Sequence, residues 1–121
     1  MRFEIPGRPM PKQRPRVGRY GNIYTPPQTK EYENLVGWVA KCNGCKPADE
    51  PVAVVLDIYV RRRMDVDNVA KSILDGLTGV AYEDDDQVVE LLVRKHRVKA
   101  AAEERVEIEI KEALGYDYSS R

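Results

Sequence analysis

The chain is poor in the residues that most enzymes use for metal or nucleophile chemistry. In 121 residues there are one histidine, His96, and two cysteines, Cys42 and Cys45. A structural zinc site takes four ligands; the pair in "CNGC" supplies two, and His96 is far away in sequence. The two thiols read as reduced cysteines at a helix end. Ser-His-Asp and Cys-His arrangements have little to draw on, and His96 falls inside a predicted strand with no part in a mechanism. There is no glycine-rich phosphate loop, because "GLTG" reads as a helix terminus. An EF-hand is excluded: after Asp65 and Asp67 the third ligand position is Val69, and the loop glycine is missing. No apolar run approaches the ~20 residues that span a bilayer. Proline interrupts "MRFEIPGRPMP" before a signal-peptide core can form, so a cytoplasmic protein with no membrane partner is expected. Net charge is zero, so there is no global attraction to nucleic acid. No internal repeat or low-complexity tract is present.

Hydrophobic residues make up 42% of the chain and charged residues 33%. That is enough apolar material for one small core. The charge is unevenly placed. Arg2, Arg8, Lys12, Arg14, Arg16 and Arg19 meet a single acid, Glu4, in residues 1–20, whereas residues 83–86 read "EDDD". This polarity says more than the net charge does.

"RFEI" predicts a short strand stopped by Pro6-Gly7. Residues 8–28, with their prolines and cations, predict an extended basic loop. From Thr29, Tyr32, Leu35, Val36 and Val39 recur at helical spacing up to the Asn43-Gly44 stop. "PVAVVLDIYVR" is the clearest strand. Val52, Val54, Leu56, Ile58 and Val60 share one face while Val55 and Tyr59 leave the other half apolar, which predicts a central strand. A second helix follows, with Asp67 as the expected N-cap and Gly79 at its end; Val69, Ala70, Ile73, Leu74, Leu77 and Val80 form its stripe. Asp67, Lys71 and Asp75 line up along one edge, and Lys71 is expected to lean back toward Asp67. "YEDDD" predicts a turn. "QVVELLVRKHRV" and "ERVEIEIKE" predict two strands joined as a hairpin, with Val106, Ile108 and Ile110 facing in. The expectation is a single α+β domain over residues 1–115, in β-α-β-α-β-β order, with a mixed sheet and two helices. Residues 116–121 are expected to be a frayed tail.

Asp65 and Asp67 are two apart at a strand end, where period-two geometry can aim both the same way. Clustered carboxylates repel unless a cation neutralises them, and oxygen-only ligands favour Mg²⁺, with Mn²⁺ as a substitute. If the next strand neighbours the first, Glu83 to Asp86 can join them; taken alone, "EDDD" reads as a solvated turn. Lys71 is either a solvated helix lysine loosely paired with Asp75 or a group that reaches a phosphate oxygen. Lys12, Arg14, Arg16 and Arg19 form one block of cations, beside Tyr20 and Tyr24; Arg61, Arg62 and Arg63 form another. Any single arginine can be mere surface. Two blocks beside a carboxylate cluster fit a polyanion held around a metal.

The stretch "DVDNVAKSILDGLTGVAYEDDDQVVEL" resembles the RusA-type Holliday-junction resolvases. They carry an Asp-x-Asp-Asn entering a helix, a lysine four residues after the second aspartate, a "DAL" or "DGL" segment, and an Asp-Asp before "xQV". All recur here in the same order and at matching spacing. "IPGRPMPKQRPR" is also similar to the variant in Gram-positive and phage members. The resemblance implies catalytic carboxylates at Asp65, Asp67 and Asp85, which bind the metal together with the neighbouring acid Asp84, and Lys71 as the essential lysine. Asp86 sits where the family needs no acid, and "CNGC" is outside the family pattern. The resemblance further implies a Mg²⁺-dependent endonuclease acting as a homodimer on four-way DNA junctions, leaving 5′-phosphate and 3′-hydroxyl nicks. The junction's approximate two-fold symmetry suits an isologous dimer. Two other classes stay open: a non-catalytic branched-DNA-binding module whose acids are caps and turns, and a metal-dependent nuclease for flap or other branched DNA.

Overall fold

A computed structural model describes residues 1–113 and 115; the tail expected at 116–121 lies outside them. The chain forms β1 (Arg2–Pro6), β2 (Arg16–Val17), β3 (Ile23–Tyr24), α1 (Pro27–Cys42), β4 (Val52–Val60), α2 (Val66–Leu77), β5 (Val88–Arg97) and β6 (Arg105–Glu112), with short 3-10 turns at Asp85–Gln87 and Ala101–Glu103. This is the α+β class read from the sequence: one small domain with two helices and a mixed sheet. The basic loop differs in one respect, since β2 and β3 pair as a small separate hairpin.

The main sheet has the order β1-β6-β4-β5. Strand β4 is central because both its faces can be covered. Val52, Val54, Leu56, Ile58 and Val60 are buried, while Val55, Asp57 and Tyr59 are half-buried on the other side. The expected hairpin of the last two strands does not form. β5 runs parallel to β4, β6 runs antiparallel to it, and β4 lies between them. The physical reason is that β4 is the most apolar strand and gains most from two partners, so it displaces the sequence-local pairing. Parallel neighbours need a crossover, and α2 supplies it between β4 and β5.

Both helices share one core with the even-numbered face of β4 and with Ile5, Val106 and Ile108. Helix α1 begins two residues before Thr29, because Pro27 suits the first helical position. Leu35, expected in its apolar stripe, is exposed, while Gly37 and Ala40 are buried. The glycine reflects a close helix crossing: a Cβ on Gly76 would lie 2.8 Å from the Glu33 carbonyl oxygen and from Val36 Cβ, and one on Gly37 would lie 3.1 Å from the Gly76 carbonyl oxygen. Helix α2 buries Val69, Ala70, Ile73 and Leu77 and stops before Gly79, whose φ of 83° suits glycine.

Candidate functional site

Asp65 and Asp67 lie where β4 hands over to α2. The N-cap is Asp65, not Asp67, and its side chain makes no capping hydrogen bond. Strand geometry does not apply to the pair, because β4 ends at Val60 and Asp67 is already helical. Helical positions turn about 100° per residue, so the two carboxylates serve different cavities. Asp65 lines a cleft of about 970 Å³ with Arg8, Lys12, Arg63, Asn68 and Lys95. Asp67 lines a groove of about 280 Å³ between α2 and β5.

That groove brings together acids from two segments. Asp67, Lys71 and Asp75 come from one edge of α2; Asp85 comes from the turn before β5, and Leu91 and Val93 from β5 itself. The crossover explains the meeting: α2 returns along the sheet toward the start of β5. The acidic turn is built rather than loosely solvated. The Asp84 side chain accepts the Asp86 N–H at 3.0 Å, and Gln87 Oε1 accepts the N–H groups of Glu83 and Asp84 at 2.9 and 3.0 Å. Gln87 Nε2 in turn donates to the carbonyls of Ala48 and Glu50. Asp84 is thus the cap of the turn, and Asp85 is the member presented to the groove. A hydrogen bond with Asp84, with burial adding to it, holds the Asp85 carboxyl above its ordinary value; Lys71 opposes this shift and Asp75 adds to it.

Lys71 leans forward, not back. Its Nζ is 3.8 Å from Asp75 Oδ1, and its side chain is 60% exposed. The lean toward Asp67 expected from side-chain direction is therefore corrected, because Asp75 one turn on offers the opposite charge. Asp75 Oδ2 also lies 3.0 Å from Lys12 Nζ, which sits 2.7 Å from Glu33 Oε2. Burial works against the Lys12 charge, but its hydrogen bonds to Glu33 and Asp75 outweigh that and hold the ammonium above its ordinary value. The Lys12 backbone is fixed too, its N–H donating to the Asn68 carbonyl at 2.8 Å. Lys12 therefore ties the basic loop to α1 and α2.

The remaining cations divide in the same way. Arg61 serves a buried acid: its backbone N–H and Nε donate to the Glu104 carboxylate at 3.2 and 3.4 Å, and Glu104 is buried. Arg14, Arg16, Arg19, Arg62 and Arg63 are exposed. Lys95 and Arg8, which the sequence did not single out for binding, share the large cleft with Arg63 and Asp65. Arg8 belongs to the basic N-terminal segment and Lys95 to the strand stretch "RKHR", and only the fold brings the two to one cleft.

Among the described residues no three acids, histidines or cysteines are placed to hold a metal ion together. The residues nevertheless fit a hard divalent ion. Asp67 and Asp85 both line one groove, and Mg²⁺ keeps several waters and is commonly held by one or two carboxylates plus substrate phosphate. Cys42 is exposed at the end of α1 and Cys45 is half-buried, and both are free thiols.

The sheet face away from the helices carries a network that sequence reasoning missed. Arg94 donates to both Asp57 oxygens at 2.6 and 2.9 Å, and His96 Nε2 lies 2.7 Å from Asp57 Oδ1. His96 stacks on Tyr59 with ring centroids 4.5 Å apart, and Arg105 lies over the same tyrosine. Only the parallel register, which pairs Asp57 with Arg94 and Tyr59 with His96, reveals it.

A protein-family model described as Endodeoxyribonuclease RusA matches residues 6–111. No curated protein matches the chain. Among the described residues no helix is long and apolar enough to cross a membrane.

Proposed function

This chain belongs to the RusA endodeoxyribonuclease family, whose members are in general Holliday-junction resolvases, and from that premise we propose how its own residues cut DNA. The family's nucleases are generally dependent on a divalent metal. Asp67 and Asp85 would hold a divalent ion, Mg²⁺ or Mn²⁺, across the α2–β5 groove, with Asp65 supplying a further carboxylate from the adjoining cleft. When bound, such an ion lowers the pKa of a water and offsets negative charge on a phosphoryl group. Lys71 is exposed and only loosely tied to Asp75, so its ammonium is free to turn to a phosphate oxygen and stabilise charge there. Asp84 shapes the turn that presents Asp85.

Arg14, Arg16, Arg19, Arg62 and Arg63 would hold the DNA backbone on either side of the groove, with Arg8 and Lys95 in the cleft. Lys12 and Arg61 are assigned instead to holding the loop and the strand end in place. A homodimer would present two such sites about a two-fold axis, matching paired symmetric nicks in a four-way junction during recombination and repair. The observation that carries the proposal is the single groove shared by Asp67, Lys71 and Asp85, drawn from two chain segments.

The test is incubation of the purified protein with a labelled four-way junction, with a linear duplex and a flap in parallel, in Mg²⁺ and in EDTA. Symmetric nicks in the junction alone, lost in EDTA, are expected. Binding without cleavage in Mg²⁺ or Mn²⁺ would make the chain a branched-DNA-binding module. Cleavage of the flap in preference to the junction would assign it another branched substrate.

A further inference from the structure

We propose that the β2–β3 hairpin is a base-stacking probe, with Tyr20 at its tip lying against an unpaired or unstacked base at the branch point and Arg16 and Arg19 on the neighbouring phosphates. The inference rests on the endonuclease reading above and adds a means by which this chain senses DNA shape.

The hairpin is small but well closed. Arg16 pairs with Tyr24 and Val17 with Ile23. The Gly18 N–H donates to the Asn22 carbonyl at 2.6 Å, and the Gly21 N–H donates to the Gly18 carbonyl at 3.1 Å. Gly21 takes a φ of 81°, as the residue after such a turn commonly must. Gly18 leaves room for the Asn22 side chain, whose Oδ1 would lie 2.4 Å from a Cβ there. The turn therefore places Arg19 and Tyr20 at the outermost point.

What the hairpin displays is unusual for a surface loop. Tyr20 is 90% exposed, and the directly paired Val17 and Ile23 are 72% and 75% exposed. A lone two-stranded hairpin is marginal in water, and this one bares its apolar and aromatic side chains rather than burying them. The chemistry of its partner follows from charge. No acid occurs between Glu4 and Glu31, while Arg8, Lys12, Arg14, Arg16, Arg19 and Lys30 all do. A cationic element tipped by an aromatic ring matches nucleic acid, where arginine forks meet phosphates and a ring stacks on a base face without demanding a sequence. Linear duplex hides its base faces; a branch point, where stacking is interrupted, exposes them.

The experiment uses full-length wild type, Tyr20→Ala and Tyr20→Phe, a four-way junction carrying 2-aminopurine at the branch, and a linear duplex of equal length. Junction affinity should fall about tenfold in Tyr20→Ala, with duplex affinity unchanged and the 2-aminopurine response to the protein lost. Tyr20→Phe should keep both. Equal loss on junction and duplex, or unchanged junction affinity and fluorescence, overturns the proposal. So does a change in sedimentation in Tyr20→Ala without DNA, which would make a second copy of the chain the hairpin's partner. Wild-type cleavage run alongside separates the two readings: its absence defeats the endonuclease assignment, whereas intact cleavage with an inert Tyr20 defeats the hairpin alone.

Discussion

Asp75 holds Lys12: its Oδ2 lies 3.0 Å from the Lys12 ammonium, and both side chains are about four-fifths removed from solvent, with side-chain exposures of 24% and 20%. Through this pair and Glu33, the N-terminal basic loop is fixed to the helix that carries Asp67 and Lys71. Replacing Lys12 by Met leaves two carboxylates without their shared cation. A loss of about 1–3 kcal/mol is expected, read as a lower urea midpoint at an unchanged slope. An unshifted midpoint would show that the loop is held by something else.

The helix crossing gives a second expectation. Gly76→Ala pushes a methyl into the Glu33 carbonyl and Val36, with backbone on one side that cannot swing away. Overpacking of this kind costs roughly 1–3 kcal/mol. Thermal unfolding should show a clear drop for Gly76→Ala and little change for an alanine at exposed Asn34. Equal stability of the two variants would mean that the helices part easily.

β4 could be placed from its pattern because both faces are apolar enough to demand covering, and α2 from an apolar stripe bounded by glycine. The resemblance in the central stretch pointed to acids that do line the groove, Asp67 and Asp85. Other features could not be read in one dimension. The expected β5–β6 hairpin is absent because sequence-local strands pair only when no better partner competes, and β4 competes. The roles of Lys12 and Arg61 depend on Glu33, Asp75 and Glu104, which are distant in sequence and carry no periodic signal linking them to a cation. The network of Asp57, Arg94, His96 and Tyr59 exists only in the parallel register.

Crowding of carboxylates at the acidic turn predicts a link between metal and stability. Asp85 shares space with Asp84 and feels the charge of Asp75, and Asp67 lines the same groove. Like charges so placed weaken the fold until a cation enters. Wild-type Tm should rise when Mg²⁺ replaces EDTA, and Asp85→Asn should start higher in EDTA and rise less. A full Mg²⁺ response in Asp85→Asn would remove Asp85 from the ion's surroundings.

On the opposite sheet face, the Arg94 hydrogen bonds, aided by His96 and opposed by burial, hold the Asp57 carboxyl down to about 2 from an ordinary 3.8. A depressed carboxylate stabilises the fold above the ordinary value, and that stability is lost as pH falls from 3.8 toward 2. Arg94→Ala should therefore bring acid unfolding, followed by circular dichroism, to a higher pH. Superimposable acid curves for the two proteins would show the network to be energetically idle.

The most direct test of the cutting site is single-turnover cleavage of a bound four-way junction by wild type, Asp67→Asn and Lys71→Ala in Mg²⁺. Asp67→Asn should bind the junction at least as tightly as wild type, because repulsion from phosphate falls, and should leave it uncut. Lys71→Ala should cut far more slowly without loss of metal. Wild-type rates in both variants would contradict the assignment and place the chemistry outside the α2–β5 groove.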